Sequence, residues 1–200
     1  KFLQQALSDS VDLSFNMIDV DGDQSTNDSV IILANGASET PQISNNSEDT
    51  EVFVEALRYV CTELAKELAR DGEGAQRLIE VNVEGAHTTE DARKAAREIA
   101  SSSLVKAMVH GKDPNWGRLV MALGKSGIPL NEGDIDVFIS DIHIVHEGIA
   151  IPYLKDAVVS AMNSEQVDFR INLNVGAGSG TAWGCDLTEE YVIFNSAYST

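Results

Sequence analysis

The densest run of potential metal ligands in the sequence is DVDGDQSTND at residues 19–28. Oxygen-bearing side chains stand at every second position from its start: Asp19, Asp21, Asp23 and Ser25. Calcium loops surround a hard cation with this kind of alternation. A regular calcium hand nevertheless fails in register, because Gln24 occupies the position that needs glycine and Val30 the position that needs a bidentate glutamate. No regular calcium hand is therefore predicted here.

Two glycine-containing stretches match nucleotide-binding motifs only in part. Residues 124–126 (GKS) could end a phosphate loop, but Leu119 stands where that motif requires its first glycine. Residues 176–180 (GAGSG) follow a predicted strand, as a dinucleotide fingerprint would, but the third glycine is displaced and another strand is predicted next. We therefore predict no nucleotide site and interpret residues 176–180 as a hairpin turn.

Few side chains are placed to ligate zinc or to act as nucleophiles. His143 and His146 lie three residues apart on a predicted strand, a spacing that should direct them to opposite faces. No zinc site is therefore predicted, and we expect no metal or other resident cofactor. No serine or cysteine stands in a nucleophile elbow. Taken alone, the residues offer binding groups but no evident nucleophile.

The composition excludes several classes of partner. There are 32 acidic and 14 basic residues, and the resulting net charge of −18 repels nucleic acid and anionic membranes. No run approaches the roughly 20 apolar residues of a membrane span. The cysteines Cys61 and Cys185 are too few for a disulfide scaffold, and Cys61 lies on the apolar face of a predicted helix. We expect a cytoplasmic protein without nucleic acid or membrane partners.

Helical periodicity predicts the elements that must position these side chains. Apolar residues recur at helical spacing in four segments: 1–17, 53–68, 92–99 and 154–161. Gly72 should end the second helix, and Thr88 with Asp91 forms a capping box that opens the third. Pro152 stands where the fourth helix can begin. In the second helix the apolar residues form one stripe: Phe53, Leu57, Val60, Cys61, Leu64 and Leu68.

Strands are predicted between and after these helices. The segments are 29–35 (SVIILAN, as a buried strand), 78–83, 119–123, 135–151, 167–175 and 181–194. Helices and strands alternate, with antiparallel hairpins toward the C-terminus. The pattern predicts one compact α+β body of layered helices and mixed sheets, without a repeat or a linker.

Three segments resemble motifs of the ornithine acetyltransferase family, the bifunctional glutamate N-acetyltransferases of arginine biosynthesis. They are VDGDQSTND at 20–28, DGEGAQRLIEV at 71–81 and HGKDPNWGR at 110–118. The closing NSAYST at 195–200 fits the C-terminus of the same family, and the similarity runs along the whole chain. The resemblance is to the β chain in particular. It identifies residues 1–200 as a β chain that lacks its N-terminal segment and forms one body with the α chain.

This resemblance implies an α/β layered fold similar to that of the N-terminal-nucleophile hydrolases, and a ping-pong acetyl transfer. A precursor in this family cleaves itself before a threonine, whose hydroxyl then takes the acetyl group from N-acetylornithine and passes it to glutamate. Acetyl-CoA is a possible additional donor. The nucleophilic threonine should lie upstream of Lys1, so no catalytic nucleophile is expected in this chain. The implied partner is the α chain of the same precursor, in an α2β2 heterotetramer.

The resemblance also implies three substrate-binding residues: Glu73, Asn195 and Thr200. Glu73 stands between two glycines, which let backbone and ligand approach closely, and its carboxylate could pair with an ammonium of ornithine. Asn195 and Thr200 offer amide and hydroxyl groups to an amino-acid head group. The predicted apolar strand at 191–194 would hold this tail in place.

Other motif residues keep open interpretations. Candidates for supporting the threonine's amine and hydroxyl are Ser25, Thr26 and Asn27, with Asp21 and Asp23 capping the turn. Trp116 could line a pocket or pack in the core, and Arg118 is expected in an internal ion pair. Two alternatives to the acetyltransferase also remain. One is a related N-terminal-nucleophile amidase or peptidase that releases acyl groups to water, and the other is an acidic calcium-binding interaction module built on residues 19–28.

Overall fold

A computed structural model describes residues 1–44 and 47–197 of the chain. The helices are α1 (Phe2–Asp12), α2 (Thr50–Arg70), α3 (Thr89–Ser101), α4 (Ser103–His110), α5 (Gly117–Lys125), α6 (Lys155–Ala161) and α7 (Glu189–Ala197). The strands are β1 (Ile18–Asp19), β2 (Leu78–Ala86), β3 (Asp136–Ile139), β4 (Ile142–His146), β5 (Ile149–Ala150), β6 (Gln166–Asn172) and β7 (Gly178–Cys185). Short 3-10 helices span Phe15–Met17 and Glu132–Asp134. None of the helices in the described ranges has both the length and the apolar character of a membrane span.

All seven strands join one mixed sheet in the order β1-β7-β2-β6-β3-β4-β5. β2 is parallel to β6 and antiparallel to β7, so these two strands flank it. β1 extends one edge by parallel pairing with β7. β3 pairs antiparallel with β6, and β4 and β5 continue an antiparallel meander to the other edge. The predicted α+β class with a mixed sheet is confirmed.

The core lies between the sheet and α3. Ile79, Val81 and Val83 on β2 are fully buried, while the intervening side chains point to the opposite face. The sheet-facing side of α3 is built mainly of small residues, all buried: Ala92, Ala95, Ala96, Ile99 and Ala100. Gly180 of β7 lies so close to this helix that a Cβ there would stand 2.6 Å from the backbone nitrogen of Arg93. Small residues on both elements therefore allow α3 to approach the sheet closely.

The long periodic segments form the elements that the sequence predicts. Residues 1–17 give α1 and the first 3-10 helix, and the other three predicted helices correspond to α2, α3 and α6. Thr88 caps α3, its hydroxyl accepting the N–H of Asp91 at 3.0 Å. The predicted strands at 78–83, 135–151 and 167–175 are confirmed as β2, the β3–β5 meander and β6.

Several predicted strands are wrong. Residues 119–123 lie in α5, where Leu119, Ala122 and Leu123 are buried at helical spacing. The last predicted strand, 181–194, ends with β7, and residues 191–194 belong to α7. Short apolar runs are compatible with either element, and for residues 119–123 the helix is the one that buries a consistent face. The helix α4 was not predicted at all.

Two further predictions, a buried strand at 29–35 and a hairpin turn at 176–180, are wrong because of how the strands pair. Residues 29–35 form neither helix nor strand, and Ile31 and Leu33 are 76% and 89% exposed, since no described strand pairs with them. Residues 176–180 are not a hairpin turn, because β6 and β7 each pair with β2 rather than with one another. Their glycines instead allow the close approach of β7 to α3.

The stripe predicted on the second helix is only partly correct. Cys61, Ala65 and Ala69 form the buried face of α2. Burial raises the pKa of the Cys61 thiol, as expected for a packing residue. The larger side chains of Val60, Leu64 and Leu68 are exposed.

Candidate functional site

The loop of residues 71–77, between α2 and β2, is held by side chains that follow β7. The buried Asp186 accepts hydrogen bonds from the backbone N–H groups of Gln76 and Arg77, both at 2.8 Å. Its second carboxylate oxygen lies 3.5 Å from the Arg77 guanidinium. The Thr188 hydroxyl donates to the carbonyl oxygen of Gly74 at 2.8 Å. Charge-assisted bonds of this kind fix the conformation of the loop.

Gly74 is required by both the shape and the packing of this loop. Its φ of +70° is a left-handed conformation that other residues adopt only with strain. A Cβ at this position would stand 2.7 Å from the Glu190 Cβ and 2.8 Å from the Tyr191 nitrogen. The loop therefore packs directly against the first turn of α7.

Two of the three predicted substrate-binding residues meet at this contact. Asn195, on α7, donates from its amide nitrogen to a carboxylate oxygen of Glu73 at 2.5 Å, although 122 residues separate the two in sequence. The same amide nitrogen donates to the Tyr191 carbonyl at 3.0 Å. Both side chains are exposed, so the Glu73 carboxylate is oriented but still accessible. The third residue, Thr200, lies outside the described residues.

Tyr191 links the acidic loop of residues 19–28 to the contact between Glu73 and Asn195. Its hydroxyl donates to a carboxylate oxygen of Asp21 at 3.0 Å. Burial, this hydrogen bond and the charges of Asp21, Glu73 and Asp23 raise the pKa of Tyr191 to about 12. The phenol is therefore a neutral donor near pH 7. We call Asp21, Asp23 and Glu73 the acidic corner.

The turn within this acidic loop forms largely as the sequence predicts. The carboxylate of Asp21 accepts the N–H of Asp23 at 3.0 Å, which is a local capping turn. The Ser25 hydroxyl oxygen accepts N–H bonds from Asn27 and Asp28, at 3.4 and 3.2 Å. These side chains are exposed, and the hypothesis that Ser25, Thr26 and Asn27 support a catalytic threonine stays untested.

The third motif segment contacts the start of α7 and the residue that anchors the 71–77 loop through His110. Its Nε2 lies 3.1 Å from a carboxylate oxygen of Glu189, and its Nδ1 lies 3.5 Å from Asp186. Further along this segment, Arg118 donates to the Leu104 carbonyl at 3.1 Å and lies 3.9 Å from Asp113. The fold thus gathers all three motif segments and α7 at one end of the sheet.

Lys106, a buried lysine that sequence reasoning missed, links the ends of β1 and β7. Lys106 Nζ donates to the backbone carbonyls of Asp19 and Cys185, at 2.9 and 3.3 Å, and lies 3.4 Å from the Asp19 carboxylate. Burial raises the pKa of the Cys185 thiol, and Lys106 opposes that change. The one sequence signal was a lysine inside the apolar run of α4. Since Asp19 faces this lysine, it is not available as the first ligand of a calcium loop.

The prediction that His143 and His146 face opposite sides of their strand is wrong. β4 contains a bulge: Val145 pairs with Val137 but His143 pairs with Phe138, so one residue of β4 is left over. Ile144 and Val145 are consequently both buried, and the two imidazole rings lie on the same face with centroids 5.3 Å apart. A bulge of this kind gives no clear signal in the sequence.

These histidines surround Asp136. Within the described ranges they form the only group of three potential metal ligands whose atoms lie within 4.8 Å of one another. The Asp136 carboxylate already accepts bonds from His146 Nδ1 at 2.8 Å, from the Glu147 N–H at 3.1 Å and from the Asn174 amide at 3.0 Å. Because three donors already bind this carboxylate, we interpret the cluster as an ion-pair network rather than a metal centre.

Two cavities lie away from the acidic corner. One, of about 440 Å³, is bordered by Met17, Asn82 and Arg93. The other, of about 430 Å³, is bordered by residues 113–117 with Tyr153 and Lys155, so Trp116 does line a cavity while also packing on the core. Neither cavity includes Glu73 or Asn195. The acidic corner is an open surface in this chain.

Comparison with known proteins relates the whole chain to one family. A model described as the ArgJ family matches residues 1–200. The arginine biosynthesis bifunctional protein ArgJ of Dehalococcoides mccartyi is 48% identical over 200 residues, which are 100% of this chain and 49% of that protein. The protein of the same name from Symbiobacterium thermophilum is 48% identical over 198 residues, 99% of this chain and 49% of its own length.

A solved structure extends this similarity to three dimensions. The crystal structure of arginine biosynthesis bifunctional protein argJ from Bacillus halodurans matches with a TM-score of 0.96 and 41% identity. The match covers 98% of this chain and 93% of that chain. The present chain therefore spans about half the length of the curated relatives, but nearly all of one chain of the crystallised protein.

Proposed function

The chain belongs to the ArgJ family, and we propose that it is the β chain of an acetyltransferase that moves the acetyl group of N-acetylornithine to glutamate in arginine biosynthesis. The lengths of the relatives support this assignment. The curated proteins are about twice as long, while the crystallised homologue contains a chain of nearly the same extent as this one. A precursor divided into two chains accounts for both observations.

The observation that carries the proposal is the contact between Asn195 and Glu73. An exposed carboxylate held by an amide, beside the acids Asp21 and Asp23, is suited to bind the ammonium group of ornithine. The net charge of −18 on the chain also favours a cationic ligand over an anionic one. Thr200 is proposed as a further contact to the amino-acid head group.

The proposed reaction has two acyl-transfer steps on a threonine that lies outside this chain. In the first, the threonine oxygen attacks the acetyl carbonyl, the C–N bond of N-acetylornithine breaks, and the hydroxyl proton passes through the threonine's own amine to the leaving nitrogen. In the second, the glutamate amine attacks the acetyl ester, and its proton returns to the threonine oxygen. Acetyl-CoA is proposed as a possible alternative donor for the first step.

In the first step the present chain binds and orients N-acetylornithine. Glu73 pairs with the ammonium group and Asn195 fixes the direction of the carboxylate, so that the acetyl carbonyl can be held near the nucleophile. The open form of the acidic corner agrees with a site whose remaining wall, nucleophile and oxyanion donors come from an α chain. We propose that two copies of each chain assemble as an α2β2 heterotetramer.

The test is the variant Glu73→Gln in the complete protein. We expect kcat/KM for transfer from N-acetylornithine to glutamate to fall about 10- to 100-fold, because a hydrogen bond to a charged group contributes roughly 1.5–3 kcal/mol. The matched control is Asp71→Asn, which removes an exposed acid from the same loop. Rates within twofold of the unmodified protein for both variants would refute the role of Glu73.

The same assay separates transfer from hydrolysis. An acetyltransferase forms N-acetylglutamate in amounts equal to the ornithine released, whereas an amidase or peptidase releases acetate whether or not glutamate is present. Acetate as the main product at saturating glutamate would contradict the proposed function and favour the hydrolase.

A further inference from the structure

The helix α7 carries Asn195, yet none of its residues is buried. Three of its side chains make hydrogen bonds or ion pairs with described residues outside the helix: Glu189, Tyr191 and Asn195. A helix without a buried apolar face gains little from packing, so polar contacts carry more of the work of fixing its position. The direction in which Asn195 points therefore depends on these three contacts.

The three contacts of α7 differ in how firmly their partners are held. Two of them end on exposed acids in loops, Asp21 and Glu73. The third joins Glu189 to His110, the last residue of α4, with 3.1 Å between the carboxylate oxygen and Nε2. Helix α4 is anchored in the core by fully buried apolar side chains: Val105, Met108 and Val109. His110 is therefore the partner of α7 with the most rigid support.

The other nitrogen of the same imidazole faces the residue that fixes the loop of Glu73. His110 Nδ1 lies 3.5 Å from a carboxylate oxygen of Asp186, whose side chain is fully buried and accepts the backbone N–H bonds of residues 76 and 77. A histidine at the end of a helix commonly donates to the last carbonyl groups of that helix. Here both ring nitrogens face carboxylates instead, one on each of the two elements that carry Glu73 and Asn195.

We propose that His110 is a positioning residue for the first acyl-transfer step, because it holds the first turn of α7 where Asn195 meets Glu73. This inference rests on the proposed function, since it takes Glu73 to bind the ammonium group of N-acetylornithine. That group stands at the end of the side chain, because the α-nitrogen carries the acetyl group. Glutamate has no side-chain ammonium. Loss of the His110 contacts should therefore impair the use of N-acetylornithine and leave the use of glutamate unchanged.

The test is His110→Phe in the complete protein, a change that keeps a planar ring and removes both nitrogens. In a ping-pong reaction, kcat/KM for each substrate reports only its own half of the reaction. We expect kcat/KM for N-acetylornithine to fall about 10-fold, since a displaced binding group can cost up to roughly 100-fold in rate. We expect kcat/KM for glutamate to stay within about twofold. A variant that had only lost folded molecules would lose both values equally.

Glu189 provides the second arm of the test and its control. Glu189→Gln should lower kcat/KM for N-acetylornithine at least about threefold, and adding it to His110→Phe should cause no further loss, because both changes remove one contact. Glu190→Gln removes the same charge from the next exposed residue and should stay within about twofold. His110→Gln, whose amide can again donate to Glu189, should lose less than His110→Phe. Equal losses for both substrates, fully additive losses at positions 110 and 189, or an equal loss in Glu190→Gln would each overturn the inference.

Hydrogen exchange separates this inference from the proposed function. In His110→Phe we expect the amides of α7 to exchange at least about fivefold faster than in the unmodified protein, with those of α3 unchanged. If the unmodified protein transfers no acetyl group and α7 still exchanges faster in the variant, the proposed function fails while His110 is shown to hold α7. If Glu73→Gln impairs transfer and His110→Phe changes neither kcat/KM nor the exchange of α7, the inference fails and the proposed function stands.

Discussion

Asp186 fixes the loop that carries Glu73, although its own side chain bonds to other residues of that loop. Its carboxylate accepts two backbone N–H bonds from residues 76–77 and lies beside Arg77 and His110. Sequence reasoning could propose Glu73 and Asn195 because they lie in motifs of a known family. It could not find Asp186 or Lys106, since a buried charge and a surface charge have the same letter, and only burial separates them.

We expect Asp186→Ala to loosen the loop that carries Glu73. The change leaves two backbone donors and the Arg77 guanidinium without their acceptor, which should lower the free energy of unfolding by about 2–4 kcal/mol. Urea denaturation followed by circular dichroism measures this loss. Asp141→Ala, at an exposed acid in the β3–β4 turn, is the control and should change stability by less than about 0.5 kcal/mol. Equal effects of the two substitutions would show that Asp186 does not anchor the loop.

At the scale of elements, periodicity succeeded where a segment was long and packed against its own chain. α1, α2 and α3 each repeat their apolar residues over several turns, and β2 alternates apolar and polar residues from Ile79 to Glu84, so a single pattern fits. Residues 119–123 and 191–194 are too short to decide between helix and strand. For residues 29–35, the pattern indicates a strand, but no strand in the described part of the chain pairs with this segment.

The bulge in β4 shows how one extra residue creates a charge cluster. It turns His146 toward Asp136, and the hydrogen bond that the imidazole donates to this carboxylate raises the pKa of His146. Burial opposes ionisation of Asp136, but bonds from His146, Asn174 and Glu147 outweigh it and lower the pKa of that carboxyl. The pair is therefore charged over a window between the two pKa values, and there it links β4 to β3.

This window gives the hairpin a defined pH dependence. A raised folded-state pKa for His146 means that its contribution is fully present below the ordinary histidine pKa and is lost as the pH rises through the folded value. The contribution of Asp136 is lost as the pH falls through its own lowered pKa. We expect His146→Gln to remove part of the decline in thermal midpoint between pH 6 and 8.5. Parallel midpoint curves for the variant and the unmodified protein would contradict this assignment.

At the scale of the whole molecule, apolar side chains are buried on one side of the sheet, whereas elsewhere several large apolar side chains are exposed. α3 covers one face of the sheet at β1, β2 and β7, with a buried core beneath it. Val60, Leu64 and Leu68 on α2, Ile31 and Leu33, and the apolar side chains of α7 are exposed, and so is the acidic corner, which α7 adjoins at Asn195. Under the proposed function, a partner chain that buries this apolar surface would also complete the site, so stability and catalysis would depend on the same event.

That dependence can be measured as a shift in stability. Adding the separately produced other half to this chain, at about 100 times the dissociation constant, should stabilise it by about 2.7 kcal/mol through mass action. For a domain of this size we expect the thermal midpoint to rise by about 5–11 °C, since each kcal/mol corresponds to roughly 2–4 °C. The chain alone should bind a hydrophobic dye, and the assembled protein should not. An unchanged midpoint of this chain at saturating partner would mean that its exposed apolar surface serves another purpose.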